Sequence, residues 1–153
     1  NRSRSIFCTH LISVLIVIFH PSVVVIFLSA ALFFIMSATR MPSSLKHSGN
    51  SQAAKHSDAV TPNLPDLARN ITDNYNHLFE QPTLFYALVT YIFLMNHIDL
   101  MHVYLAWSYA VLRIVHSIIQ ITSNNVSYRA LIFIASGLCL VIMIIQEIIF
   151  FLS

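Results

Sequence analysis

Two sets of polar residues recur at helical spacing in sequence that is otherwise hydrocarbon. Tyr109, Arg113, His116, Ser117 and Gln120 fall on one face of a segment built from Val, Ile, Leu and Ala. Asp66, Arg69, Asp73, Asn76, His77 and Glu80 repeat the spacing upstream, where DNYNHLFEQPTLFY (Asp73 to Tyr86) passes from polar to apolar and carries Glu80 across the boundary. A carboxylate, a guanidinium and an imidazole among hydrocarbon neighbours need partners or a task. The chemistry open to them is mutual neutralisation, a polar pocket, or proton transfer among His77, Glu80 and His116.

Depth decides which of them meet. If the chain turns around residues 98 and 99, residues whose numbers sum to about 197 lie level in the two antiparallel helices. Arg113 then faces position 84 and His116 position 81, so Glu80 stands within one turn of both. This predicts an intramembrane ion pair between Glu80 and Arg113, because an unpaired arginine in lipid is costly and the pair neutralises both charges. The alternative is that the pair only fixes the hairpin register. Pro82 cannot donate to the Leu78 carbonyl, which either leaves a free acceptor at this level or simply kinks the helix.

Arg129 opens the next apolar segment, where an arginine either meets headgroups or stands above His116 and Gln120. His97, Asp99 and His102 share the opposite turn, but polar turn residues are the preferred reading and no metal site is assigned. Glu147 with Gln146, late in the last segment, reads as a helix contact or a subunit interface.

The elements that position these residues are membrane helices. The 153 residues are 57% hydrophobic and 9% charged, against about 25% charged in soluble domains. Four apolar stretches, Leu11 to Ala38, Leu78 to Met95, Met101 to Ile121 and Leu131 to Leu152, each approach the ~20 residues that cross a bilayer as helix. The expected fold is an all-α membrane protein, one four-helix bundle over residues 1–153. Residues 1–20 form an N-terminal extension, in which Arg2 and Arg4 before an apolar run look like a signal-peptide start but fit an uncleaved first helix better. His20-Pro21 sets the start of the first membrane helix, expected from about Pro21 to Ala38. Residues 39–65, rich in Ser, Asn, Lys, His and Pro, read as a solvated loop. Asp66 caps a helix expected to run unbroken through Glu80 into the membrane. NHIDL (Asn96 to Leu100) demands a tight hairpin, and Asn124 or Asn125 can cap the last helix.

Charge excludes one class of function and orients the chain. A net charge of +2 without a basic patch gives no footprint for nucleic acid. Cys8 and Cys139 lie far apart, so no disulfide framework is indicated. Arg40, Lys46, Lys55, Arg69 and Arg129 gather on one side, which the positive-inside rule makes cytoplasmic, with both termini outside or lumenal. The sequons Asn70-Ile-Thr72 and Asn125-Val-Ser127 then face the cytoplasm.

NHLFEQPTLFYAL (Asn76 to Leu88), followed by LAWSYAVLRIVHSIIQITSNNVSYR (Leu105 to Arg129), resembles the family of membrane-associated proteins in eicosanoid and glutathione metabolism (MAPEG), particularly its bacterial branch. The resemblance covers Asp73 to Arg129, and its specific marks are the glutamate and proline of helix two with R-x-x-H-S in helix three. It implies a homotrimer of four-helix subunits with glutathione between neighbours near the cytoplasmic face. Arg129, sixteen residues after Arg113, matches the arginine that stabilises the glutathione thiolate; Glu80, Arg113 and His116 match the polar core. Where well-studied members have Arg and Asn seven and three residues before the glutamate, this chain has Asp73 and His77. Gln120 replaces a tyrosine, and Arg69, Asn70 and Asn74 lie close enough to substitute as ligand contacts.

Three functions follow as expectations. One is a glutathione-dependent transferase or peroxidase acting on lipophilic electrophiles, with Arg129 as thiolate stabiliser and His77, Glu80, Arg113, His116, Asn74 and Gln120 around the ligand. A second is a non-catalytic lipid-binding scaffold or accessory subunit of a larger membrane complex, which Asp73, His77 and Gln120 favour. A proton path is the weakest, since between Phe85 and Met95 only Tyr86, Thr90 and Tyr91 are polar.

Overall fold

The computed structural model describes residues 17–48 and 65–152, and every regular element among them is α-helical. In chain order these are α1 (Phe19–Ser48), α2 (Asp66–His77), α3 (Gln81–Met95), α4 (Leu100–Ile121) and α5 (Val126–Leu152). With α2 and α3 taken as one interrupted rod, the architecture is the expected four-rod bundle. Phe19 packs edge-on against Phe93 at 4.8 Å and Phe33 lies 5.9 Å from Tyr75, so α1 runs antiparallel to the α2–α3 rod. We call the end holding Asn96 to Asp99 the turn end and the end holding Asn124 and Arg129 the loop end.

Local chemistry sets the boundaries. Asn96, at φ 60°, ends α3 in the left-handed conformation that asparagine tolerates. Asp99 starts α4 by accepting the His102 backbone N–H at 2.7 Å. Asn125 caps α5, accepting from the Ser127 N–H at 3.1 Å. The helix expected to continue through Glu80 is instead broken at residues 78–80. Pro82 has no N–H for the Leu78 carbonyl, and the chain answers with tighter i→i−3 bonds, Phe79 N–H to the Asn76 carbonyl (3.0 Å) and Glu80 N–H to that of His77 (3.4 Å). Pro82 then sits in the first turn of α3, where its missing donor is harmless.

Helix α1 extends to Ser48, ten residues into the stretch expected to be loop, with Pro42 inside it. Its apolar part, Phe19–Thr39, still ends within a residue of the expected membrane boundary. Residues 1–16 and 49–64, including most of the N-terminal extension and the rest of the loop, lie outside the described residues.

Burial is inverted relative to a soluble bundle. Phe27, Phe34, Leu94, Leu100, Tyr104 and Phe151 point outward, while Arg113, Gln120, Asn74 and His102 are buried. Three helical stretches are long and apolar enough to cross a membrane, namely Phe19–Thr39, Asp66–Met95 and Val126–Leu152. Helix α4, with 22 residues, is also long enough to cross, but its hydropathy is lowered by the polar stripe, which faces inward. It packs against α1, α2 and α5. Ala106 and Ala110 bring backbones close, and Phe85, Val89, Ile92, Tyr109, Leu140 and Met143 fill the centre.

Candidate functional site

Arg113 is the deepest charge in the bundle, with no exposed surface. Its Nη2 donates to Gln81 Oε1 across the α3–α4 hairpin. The guanidinium carbon also lies 5.3 Å from the Tyr109 ring and 5.2 Å from the Phe133 ring, so two aromatic faces meet the charge. Ser136 Oγ stands 3.2 Å from the same Gln81 oxygen. A β-carbon at Gly137 would fall 3.3 Å from Gln81 Nε2, so glycine there gives the amide its room.

The expected ion pair is not formed. Among the described residues no ion pair joins Glu80 to Arg113; Glu80 is exposed and meets His77 Nδ1 at 3.2 Å. The reason is register and rotation. Phe85 stacks on Tyr109 at 4.3 Å and Gln81 meets Arg113, both pairs summing to 194 rather than about 197, because the register centres on residue 97. The break at residues 78–80 then turns Gln81 inward and Glu80 outward.

Helix α2 is fastened to α4 below this level. Asn74 Nδ2 donates to the Ser117 carbonyl at 3.4 Å, and Ser117 Oγ donates to Asn74 Oδ1 at 3.2 Å. His116 Nε2 and Gln120 Oε1 are 3.1 Å apart, one turn along α4. Asn74 thus ties α2 to α4, and Gln120 is bonded to His116 within α4.

What opens at the loop end is a cleft of about 190 Å³ lined by His77, His116, Val126, Arg129, Ala130 and Phe133. Three of the expected site residues meet there: Arg129, His77 and His116. Asp73 is exposed and outside the lining. Arg129 Nη1 donates to Asn124 Oδ1 at 2.8 Å, and Asn124 Nδ2 donates onward to Asn70 Oδ1 at 2.9 Å. This asparagine relay, with Asn124 at φ 45°, holds the guanidinium at the cleft wall without a carboxylate partner among the described residues. The cleft thus presents one fixed cation and two imidazoles, and no acid in its lining.

A family model, the MAPEG family, matches residues 18–149. The chain belongs to the MAPEG family. That membership and the outward apolar surface make it an integral membrane protein with lipid as its surroundings. No curated protein and no solved structure matches the chain.

Sequence reasoning missed Phe133, which joins both halves of the site. Its ring lies over Arg113, 6.0 Å from the His116 ring and 6.5 Å from that of His77. The signal was present, since Phe133 follows Arg129 by one helical turn and shares its face. Gln81 was hidden by the more conspicuous Glu80 beside it.

Proposed function

We propose that this family member is a glutathione-dependent transferase or peroxidase of the bacterial type, working on lipophilic electrophiles at the cleft beneath Arg129. The supporting observation is the cleft's lining, a guanidinium held by neutral asparagines with two imidazoles, while the Glu80 carboxylate stands outside the lining against His77. Glutathione, when bound, supplies a thiolate that attacks or reduces the electrophile. Arg129 holds that negative charge, since a nearby cation lowers a thiol's pKa and raises the reactive fraction. His77 and His116 line the cleft beside that charge, and Phe133 with Val126 forms an apolar wall for the lipophile. Arg113 and Gln81 act behind this wall, holding Phe133 in place.

About 190 Å³ lies below the ~300–1,000 Å³ of typical ligand pockets, which supports a site completed by a neighbouring copy in a homotrimer. The Arg129 end is proposed to face the cytoplasm, following Arg69 and Arg129, with the termini on the other side.

Isothermal titration of glutathione into the purified protein tests the reading. Saturable binding is expected, with conjugation of a test electrophile; Arg129→Ala should weaken binding by about tenfold or more, the effect of losing one charge-assisted contact. No binding at millimolar glutathione would remove this reading. A second, a non-catalytic scaffold or accessory subunit, is favoured by Asn74 tying α2 to α4. It requires partner proteins to co-purify from native membranes and Arg129→Ala to change nothing.

A further inference from the structure

At the turn end, far from the cleft, α5 places a carboxylate between imidazoles on one side and hydrocarbon on the other. Glu147 is 6% exposed. Its Oε2 lies 3.0 Å from His97 Nδ1 and its Oε1 3.3 Å from His102 Nε2, while His102 Nδ1 lies 2.9 Å from Asp99 Oδ1. On its other side Glu147 lines a groove of about 240 Å³ between α3 and α5, whose walls are Leu88, Tyr91, Ile144, Ile148 and Phe151.

The charge around this groove is unbalanced. Asp99 and Glu147 bring two acids to the turn end. Among the described residues every Lys and Arg sits toward the loop end: Arg69 and Arg129 by the asparagine relay, Arg113 against Gln81, Arg40 and Lys46 late in α1. His97 Nδ1 hydrogen-bonds Glu147 Oε2, while the buried Oε1 has no hydrogen-bond partner and is left for a cation. A carboxylate beside lipid-facing hydrocarbon is costly, and a cation arriving along the membrane relieves that cost. Tyr91 and Phe151, both exposed, add aromatic faces that attract ammonium groups. A neutral acyl chain leaves the carboxylate unanswered, and an anionic amphiphile is repelled.

We propose that the α3–α5 groove binds a lipophilic amine in its ammonium form, the nitrogen against Glu147 and the chain along Leu88, Ile144 and Ile148. The site is independent of the cleft under Arg129, and its ligand carries the opposite charge.

Dodecylamine titrated into the protein in nanodiscs, with bound molecules counted by native mass spectrometry, tests the proposal against dodecan-1-ol of the same chain length. Dodecylamine should saturate and bind about tenfold tighter than the alcohol, or more, as expected for a desolvated ion pair with aromatic support. Glu147→Gln should remove that preference while leaving the alcohol unchanged. Leu88→Trp, which fills the groove and leaves the acid in place, should weaken the amine by a similar factor and serves if Glu147→Gln does not fold. Equal binding of amine and alcohol, a preference retained in Glu147→Gln, or undiminished amine binding to Leu88→Trp would each overturn it.

Discussion

Arg113, without accessible surface, donates from Nη2 to the side-chain oxygen of Gln81 across the α3–α4 hairpin. A neutral amide is thus the polar partner of the most buried cation, and its Nε and Nη1 have none. Gln81→Leu strips the remaining acceptor and should destabilise by about 3 kcal/mol, the scale of a buried charge left unpaired. Thermal unfolding in detergent measures it. Gln81→Glu should raise the midpoint, whereas Glu80→Gln, at an exposed position, should stay within about 0.5 kcal/mol of wild type. A larger loss at Glu80 than at Gln81 would show that the pairing is misassigned.

Gly137 keeps a side chain away from the Gln81 amide. Gly137→Ala gains helix propensity, up to about 1 kcal/mol, but its β-carbon would stand 3.3 Å from Gln81 Nε2 and overpacking costs about 1–3 kcal/mol. Net destabilisation is expected. Because the cost acts through Gln81, it should shrink in a Gln81→Leu background, and a double-mutant cycle reads that coupling.

The Asn74–Ser117 pair ties α2 to α4 through two hydrogen bonds. Asn74→Ala leaves the Ser117 hydroxyl without its side-chain acceptor and should cost about 1–3 kcal/mol. Hydrogen exchange should rise in α2 first, with α3 protected, since residues 78–80 interrupt the rod. Equal exchange in both would mean that α2 and α3 open as one unit.

Phe133 links the cleft to the buried arginine. Phe133→Leu keeps most of the volume and removes the ring face over Arg113, a loss of about 1 kcal/mol. The thermal midpoint should fall accordingly. An unchanged midpoint would assign the ring only to the cleft wall.

How far the sequence disclosed this arrangement varied with what fixed each feature. The stripe on α4 was legible because one uninterrupted helix sets the directions of Tyr109, Arg113, His116, Ser117 and Gln120. The hairpin turn was legible because Asn96 and Asp99 carry local chemistry. The partner of Arg113 was not, since it depends on a three-residue difference in register and on the rotation introduced at residues 78–80, neither of which is local to Arg113. The same holds for Glu147, which read as a helix contact until the fold set His97 and His102 against it. For the cleft, Arg129 and His116 were visible from spacing, while Phe133 was concealed by its type, one phenylalanine among eleven.

The interruption before Gln81 also bears on the surrounding bilayer. Helix α3 has 15 residues and rises about 22 Å, less than a hydrocarbon core of about 30 Å. The polar α2 completes the Asp66–Met95 span, so the loop-end part of this rod, where His77 meets the mouth of the cleft, is hydrophilic. A molecule dissolved in the acyl region beside α3 therefore lies within a short distance of one arriving from the aqueous phase.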